Sequence, residues 1–376
     1  MNEKRIALKA TAWERVGEVL VVACDPTVQV ELEDPDGQVQ TLLTAMSAGP
    51  WTLGELQQRL AYKGVLVTEM DLEAALAVFD SLRLLVYTDQ QDLGGSENNE
   101  RYHSNMAFFD LFASLERSRT EYQQQLLGAH VLQLGTGGIG STVLQHLAGF
   151  GVGRLTLLDC DVVEPRNFAR QFLYRQEDIG RSKVERAAEW VRSFDPRIQV
   201  EVVEKQVTGP GDVAALLSGV DAVSASIDQP IEVDLWVNEA CMKAGVPFVR
   251  AGISGSRLGY FSVAPGSSPC LACAQKADTE IASGARTDAA ASRLSGRLPQ
   301  VNRAIGPVAG LLGAMAAFEL LRYVTRYETP HAAGAHVFWD ATDHLAQRRQ
   351  PFPADPHCRL CRHARLHSAR SLTAAA

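Results

Sequence analysis

The sequence of 376 residues has no long uncharged apolar run near its N-terminus. Its first segment, MNEKRIALKATAWERVGEVL, carries charges throughout and does not resemble a signal peptide. The most apolar segment, GPVAGLLGAMAAFELLRYV, contains Glu319 and Arg322 and is short for a membrane span, so it is typical of a buried helix. We therefore expect a cytoplasmic protein that does not bind a membrane.

Cysteine is scarce, and its pattern does not indicate disulfides. The seven cysteines are an odd number, and four of them form C-x-x-C pairs, Cys270 with Cys273 and Cys358 with Cys361. Without a secretory signal, this pattern favours reduced thiols and a metal. Four thiolates form a closed tetrahedral site, so the pairs predict a structural zinc that joins two segments separated by 84 residues. The alternative is two pairs of unligated thiols.

Positive charge is scarce in the first 100 residues, which hold 7 basic and 17 acidic residues and therefore carry a net charge of −10. The rest of the chain holds 29 basic and 27 acidic residues, a net charge of +2. An acidic domain repels the phosphates of nucleic acids instead of releasing their counterions. We therefore expect no nucleic acid among the partners of this region.

Residues 1–92 nevertheless have the pattern of a small winged-helix-like α+β domain. Two strands surround a turn at DP, and two helices begin at the capping boxes of Thr52 and Thr68. A strand exposed beside a helix is suited to binding a peptide as an additional strand. The alternative is a domain for dimerisation or packing.

A glycine-rich turn follows an apolar strand pattern in the segment VLQLGTGGIG. Its glycines allow a tight turn and let phosphate oxygens approach the backbone at the start of the next helix; they are Gly135, Gly137, Gly138 and Gly140. Asp159 ends the following strand, where it can accept hydrogen bonds from a ribose. The arrangement predicts a Rossmann-like nucleotide site and is compatible with NAD. A tight turn without a ligand is the alternative.

Charged residues after the second strand favour a triphosphate over NAD. Arg170 and Lys183 can neutralise phosphate charge, and Asp228 follows a third strand, where a carboxylate suits Mg²⁺. Other candidate nucleotide-binding residues in this part of the chain are Asp161, Asn167 and Gln171. The set predicts an ATP site with magnesium, and a solvated ion-pair face is the alternative.

These segments together resemble the ThiF/MoeB/HesA family of ATP-dependent adenylating enzymes, which share the catalytic fold of ubiquitin-activating enzymes. The resemblance extends from RYHSN, which begins at Arg101, to HCRLC, which ends at Cys361. It implies an α/β fold over residues 101–365, with a Rossmann-like ATP-binding adenylation domain and a mostly parallel sheet, and it implies a homodimer.

The resemblance also assigns roles to individual residues. It implies that Asp159 contacts the ribose, that Asn167, Arg170 and Lys183 surround the phosphates, and that Asp228 contacts Mg²⁺ near the α-phosphate. Arg170, Lys183 and Asp228 are therefore the candidate catalytic residues.

The chain departs from the family pattern in two places. Thioester-forming enzymes of this fold use a cysteine near a mobile crossover loop, which we predict at about residues 274–300, yet residues 274–357 contain no cysteine. We therefore expect no enzyme thioester. The second arginine of the family's R-Y-x-R pattern, which reaches the ATP of the partner subunit, is Ser104 here. Arg101 or another basic residue remains as a candidate for that contact.

The layout of residues 1–92 resembles the precursor-peptide recognition domains of ribosomal-peptide maturation enzymes. This resemblance implies that the protein adenylates a carboxylate on a ribosomal precursor peptide and releases pyrophosphate. A peptide nitrogen would then displace AMP, with cyclisation or dehydration, in the biosynthesis of a peptide antibiotic. The alternatives are an enzyme that activates a sulfur-carrier protein and a non-catalytic peptide-binding scaffold. Residues 366–376 are predicted to be a disordered tail.

Overall fold

The computed structural model describes residues 4–284, 294 and 302–374. The chain forms two compact units, Met1–Gln124 and Gln125–Ala376. The strands of the N-terminal unit are β1 (Ile6–Leu8), β2 (Ala12–Val16), β3 (Val19–Asp25), β4 (Val28–Glu33) and β5 (Leu85–Tyr87). The helices of the first 128 residues are α1 (Gln38–Ser47), α2 (Leu53–Tyr62), α3 (Glu69–Ser81), α4 (Ser96–Arg101), α5 (His103–Asp110) and α6 (Arg119–Gly128).

The N-terminal unit is built on a three-stranded antiparallel sheet in the order β2-β3-β4, beside a smaller β1–β5 pair. Leu20 and Val22 of β3 are fully buried in one core with residues of α1, α2 and α3, because alternate residues of the strand point to the helices. Both predicted capping boxes are present, at Thr52 with Glu55 and at Thr68 with Asp71. The sequence pattern therefore located the starts of α2 and α3 correctly.

The C-terminal unit is an α/β structure around one large sheet. Its strands are β6 (His130–Leu134), β7 (Arg154–Asp159), β8 (Gln199–Glu204), β9 (Ala222–Ala225), β10 (Phe248–Ser254), β11 (Arg257–Val263), β12 (Ala335–Asp340) and β13 (Ala346–Pro351). Its helices after α6 are α7 (Gly138–Phe150), α8 (Lys183–Phe194), α9 (Pro210–Ala214), α10 (Val233–Ala244), α11 (Leu271–Gly284), α12 (Gly306–Thr325) and α13 (Arg359–Ala374). Short 3₁₀ helices lie at Thr88–Gln90, Pro165–Asn167 and Gln176–Asp178.

The large sheet has the strand order β13-β12-β11-β10-β9-β6-β7-β8. Strands β8, β7, β6, β9 and β10 are parallel to one another, whereas β11, β12 and β13 continue the sheet in antiparallel pairs. Every residue of β6 is buried, as expected for a central parallel strand covered on both faces. The predicted fold class is therefore confirmed.

The apolar helix α12 is a core element of this unit. It packs against α7 and against β9, β10 and β11. By length and composition it is apolar enough to cross a membrane, but half of its apolar window is buried inside the structure. This burial agrees with the sequence prediction of a buried helix.

The structure differs from three predicted boundaries. Residues 271–284 form α11, so the first part of the predicted crossover loop is helical, and residues 285–293 and 295–300 lie outside the described part. Helix α13 runs to residue 374, through most of the predicted disordered tail, and its first turns bury Cys361 and Ala364. The burial of this face stabilises α13.

The third difference is the end of the N-terminal unit, predicted at 92 and found at residue 124. Residues beyond 92 belong to this unit because hydrogen bonds fix them to it. The Lys9 ammonium donates to the carbonyls of Asp110 and Ala113, at 2.6 and 3.0 Å. The Leu115 amide donates to the Asp80 carboxylate at 2.7 Å.

Candidate active site

Three parallel strands end together at the glycine-rich turn. The Gly135 amide donates to the Leu158 carbonyl of β7, and the Ser226 amide, just after β9, donates to the Leu134 carbonyl of β6, both at 2.7 Å. Gly135 has φ +88°, and a Cβ there would lie 2.8 Å from the Ser226 carbonyl oxygen, so only glycine fits this turn. The chain positions Asp228 two residues beyond Ser226. This is the carboxyl edge at which open α/β sheets bind ligands.

The first turn of α7 lies at this edge and has the features of an anion-binding site. Gly137 is the N-terminal cap of α7 and has no side chain to accept from the free amides that follow. A Cβ on Gly140 would lie 2.0 Å from the Gly135 carbonyl oxygen, which explains the glycine there. A Cβ on Gly138 would lie 3.1 Å from Cγ of Arg170, so the Arg170 side chain lies against the helix start. The free amides and the aliphatic part of the Arg170 side chain are thus neighbours, an arrangement that suits phosphate binding.

Asp159 is held rigidly at the end of β7. Its Oδ2 accepts hydrogen bonds from the amide and hydroxyl of Thr136, at 2.7 and 2.9 Å, and its Oδ1 accepts from the Asp161 amide at 2.9 Å. The residue is 7% exposed. A carboxylate has about four acceptor positions, so Asp159 can still accept about one bond from a ribose.

Lys183 and Asp161 form an ion pair at the start of α8. The Lys183 Nζ lies 2.9 Å from Asp161 Oδ2, and the Lys183 amide donates to the Asp161 carbonyl at 2.9 Å. A bridge between Val162 and Ser182 extends this pairing. The Lys183 side chain is 6% exposed, whereas that of Asp161 is 64% exposed. The local pairing therefore fixes a cation beside the strand that carries Asp159.

The other predicted nucleotide residues lie in or just after the 3₁₀ helix Pro165–Asn167. The Asn167 carbonyl accepts from the amides of Arg170 and Gln171, and Asn167 Oδ1 accepts from the Glu164 amide at 2.9 Å. Gln171 Nε2 would lie 3.8 Å from a Cβ on Gly137. Gln171 is 3% exposed and its Oε1 has no hydrogen-bond partner, so this acceptor remains available beside the glycine turn.

Sequence reasoning missed three residues that shape the glycine turn. Thr136 anchors Asp159, and Tyr174 donates its hydroxyl hydrogen bond to the Thr136 carbonyl at 2.6 Å. Gln133, buried on β6, donates from Nε2 to the Gly135 carbonyl at 2.8 Å. None of the three carries a charge or a recognised spacing, although a polar residue such as Gln133 inside an apolar strand was a visible signal.

One predicted nucleotide-binding residue, Arg101, belongs to the N-terminal unit. It is the last residue of α4, and its guanidinium lies 5.9 Å from the Tyr102 ring. Ser104 lies in α5 of the same unit. A contact of Arg101 with the nucleotide of a partner subunit therefore stays a prediction.

The four predicted zinc ligands meet at one point. The Sγ–Sγ distances are 3.8 Å for Cys270 and Cys273, 3.7 Å for Cys270 and Cys358, and 3.6 Å for Cys273 and Cys361. Tetrahedral zinc with Zn–S bonds of about 2.3 Å requires sulfurs roughly 3.8 Å apart. Burial raises the pKa of Cys270 to about 11, a shift that a bound cation would oppose. The cluster could therefore hold zinc.

The second pair lies at the start of α13 and the first at the start of α11. Asn238 of α10 supports the first, because its Oδ1 accepts from the Leu271 amide at 3.0 Å. Helix α10 packs against both α11 and α13. The cysteine cluster thus lies where the C-terminal helix meets the core of its unit.

Comparison with known proteins identifies the family. The profile of the ThiF family matches residues 102–360. The chain belongs to the ThiF family. The SAMP-activating enzyme E1 of Haloferax volcanii is 31% identical over 64% of this chain and 83% of its own length. The molybdopterin-synthase adenylyltransferase of Escherichia coli is 30% identical over 64% of this chain and 89% of its own. Membership of this family supports an ATP-dependent adenylating enzyme.

Solved structures extend the likeness to 95% of the chain. Escherichia coli MccB with ATP has a TM-score of 0.73 at 20% identity, and the match covers 95% of this chain and 99% of that one. The microcin C7 biosynthetic enzyme MccB with N-formylated MccA has a TM-score of 0.72 at 21% identity, with 95% and 99% coverage. PaaA has a TM-score of 0.62 at 20% identity and covers 75% of this chain and 92% of its own. At such identities the likeness establishes the fold.

Proposed function

We propose that this ThiF-family protein uses ATP and Mg²⁺ to adenylate a carboxylate on a ribosomally synthesised precursor peptide. The observation that carries the proposal is the meeting of Asp159, Arg170 and Lys183 around the glycine turn and the start of α7. Relatives named as adenylyltransferases support the reaction class. The fold shared with MccB, which includes the N-terminal unit, supports the substrate class.

The first step joins the carboxylate to the α-phosphorus of ATP. A carboxylate oxygen forms the new P–O bond, the bond between the α-phosphorus and the bridging oxygen breaks, and pyrophosphate leaves. Arg170 and Lys183 offset the charge that develops on the leaving phosphates, and the free amides at the start of α7 add to this stabilisation. Asp159 orients the ribose. Magnesium, when bound, supplies further charge compensation, and the exposed Asp228 is the residue that would hold it.

The second step does not require an enzyme thiol. A peptide nitrogen attacks the acyl carbon of the mixed anhydride, the bond to AMP breaks, and the nitrogen loses a proton, giving cyclisation or dehydration. Cys160 directly follows β7. Partial desolvation and the neighbouring carboxylates of Asp161 and Asp159 raise the pKa of its thiol, which disfavours the thiolate. Cys241 is fully buried, and Cys24 lies in the N-terminal unit.

The N-terminal unit is proposed to bind the precursor peptide. Strand β4 is an edge of the three-stranded sheet, so its backbone can pair with a peptide strand. On the outward face, Glu14 and Glu31 are exposed on either side of Val21, which pairs with both. This acidic surface, defined by Glu14, Glu31 and Glu33, favours a peptide with basic residues. Capture there would raise the local concentration of the reacting segment.

We further propose a homodimer and a structural zinc. Phe172 is 64% exposed and Ile305 is 59% exposed, and both lie at the start of α12, since a Cβ on Gly306 would lie 2.6 Å from the Phe172 ring. An exposed apolar patch of this kind suits a subunit interface. The sulfur geometry of the cysteine cluster supports the zinc.

A sulfur-carrier adenylyltransferase is the second candidate, because that activity appears in the names of several relatives. These relatives match about 55–64% of the chain, so the N-terminal unit is an addition that the activity does not explain. A non-catalytic peptide-binding scaffold is the third candidate. The presence together of Asp159, Arg170, Lys183 and Asp228 weighs against it.

The candidates can be separated with purified protein, ATP and MgCl₂. One reaction contains peptides encoded by short reading frames beside the gene, and another contains a sulfur-carrier protein with a C-terminal glycine. Pyrophosphate release that depends on a precursor peptide supports the proposal. Release with the sulfur carrier alone would favour the second candidate, and release with neither would favour the scaffold.

A further inference from the structure

Hydrogen bonds and one longer contact connect five residues of the nucleotide site into a ring. Asp159 accepts from Thr136, the Thr136 carbonyl accepts from Tyr174, and the Tyr174 hydroxyl also lies 3.4 Å from the Lys183 carbonyl. Lys183 donates to Asp161 through both its amide and its ammonium, and the Asp161 amide donates to Asp159. The ring therefore links the glycine turn, the end of β7 and the start of α8.

Tyr174 has a particular place in this ring. Its hydroxyl contacts main-chain carbonyls of both the glycine turn, at Thr136, and the start of α8, at Lys183. These two segments are 47 positions apart in the sequence. The Tyr174 side chain thus contacts both the glycine turn, which would bind the phosphates, and the main chain of Lys183, whose ammonium would neutralise their charge.

The environment of Tyr174 keeps its hydroxyl protonated. The residue is 3% exposed, and burial raises the pKa of its phenol above the ordinary value. The hydroxyl therefore keeps its proton and acts as a donor at neutral pH. Its removal would leave the buried Thr136 carbonyl without this donor, which is costly in a protein interior.

We propose that Tyr174 is a positioning residue that holds the glycine turn and Lys183 at a fixed separation, so that both engage the triphosphate at once. The inference rests on the proposed use of ATP. A site held in its binding geometry does not have to be reorganised by the ligand, and this preorganisation improves affinity. Tyr174 acts through Thr136 and Lys183 and does not need to touch the nucleotide.

Tyr174→Phe tests the inference, because it removes only the hydroxyl. The matched control is Tyr323→Phe: Tyr323 is also a tyrosine of the C-terminal unit whose pKa is raised by burial, but its hydroxyl donates to Ser262 at 2.9 Å. The full chain is titrated with ATP and MgCl₂ by calorimetry, at a temperature at which circular dichroism shows all variants folded. We expect Tyr174→Phe to weaken ATP binding about tenfold, and the control to change it by less than about twofold.

A double-mutant cycle then tests the link to Lys183. If Tyr174 acts by positioning the Lys183 ammonium, Tyr174→Phe should weaken ATP binding clearly less in a Lys183→Ala background than in the wild-type chain. An equal loss in both backgrounds would overturn the coupling. Unchanged ATP affinity in the Tyr174→Phe single variant would overturn the inference while leaving the proposed function intact. Failure of the wild-type chain to bind ATP would instead contradict the proposed function.

Discussion

The Sγ atom of Cys270 lies 3.7 Å from the Sγ atom of Cys358, although 87 residues lie between them in the sequence. Two thiols of a single pair could come this close by chance, but here all four cysteines of the cluster lie within 4.8 Å of one another. The separations match those that tetrahedral zinc requires between its sulfur ligands.

We expect about one zinc per chain, and we expect Cys270→Ser to reduce zinc content and lower the unfolding temperature. The physical reason is that the free energy of metal binding at such a site stabilises the fold. Elemental analysis and thermal unfolding measure the two effects. Cys24→Ser, outside the cluster, is the control and should retain zinc. Well-folded wild-type protein without zinc would contradict the assignment.

Asp228→Ala should abolish adenylation without unfolding the protein. Asp228 is exposed and follows β9, so its loss opens no cavity, but it removes the carboxylate proposed for Mg²⁺. We expect substrate-dependent pyrophosphate release to fall by roughly two to three orders of magnitude. Glu177→Ala, at another exposed acid, is the control. Normal release by the Asp228 variant would show that this carboxylate does not serve the reaction.

The protein should be a homodimer in solution. Light scattering at micromolar concentration should give twice the chain mass of 40.8 kDa. Phe172→Asp places a charge in the exposed apolar patch at the start of α12 and should shift the mass towards the monomer. A monomeric wild-type chain would rule out the homodimer.

The acidic surface should contribute a salt-sensitive part of peptide binding. Replacing Glu14, Glu31 and Glu33 by glutamine should weaken binding of a basic precursor by roughly 0.5–3 kcal/mol in total at low salt, and by less at high salt, because exposed charges are screened. Fluorescence anisotropy with labelled precursor measures this. Identical affinities of the triple variant and the wild type at low salt would show that the peptide binds elsewhere.

Deletion of residues 1–124, the whole N-terminal unit, provides a broader test. The shortened chain should lose most of its affinity for the precursor but still bind ATP, because the nucleotide-site residues lie in the C-terminal unit. Calorimetry with each ligand separates the two effects. Equal peptide affinity of both chains would favour the dimerisation or packing role instead.

The sequence located those residues of the candidate site that depend on local patterns. Gly135 and Gly140 were predictable because a tight turn between an apolar strand and a helix needs glycine, and Asp159 because a strand pattern ends there. Cys270 and Cys358 were predictable from their spacing. Each of these signals lies within a few residues of the chain.

The role of Tyr174 could not be predicted in this way. Its contacts with Thr136 and Lys183 depend on how the irregular segment between β7 and α8 folds back on the glycine turn. That segment has no hydrophobic period to reveal its path. The assignment of residues 93–124 to the N-terminal unit was missed for the same reason, since it rests on distant hydrogen bonds such as that of Lys9 with Asp110.

The fate of the phosphates of ATP tests the central claim most directly. The full chain is incubated with MgCl₂, a precursor peptide and ATP radiolabelled at the α-phosphate, and the products are separated by chromatography. We predict that the label appears first on the peptide as an acyl-adenylate and then as AMP, with one pyrophosphate released for each peptide modified. Label recovered only as ADP, with release of inorganic phosphate, would contradict adenylation.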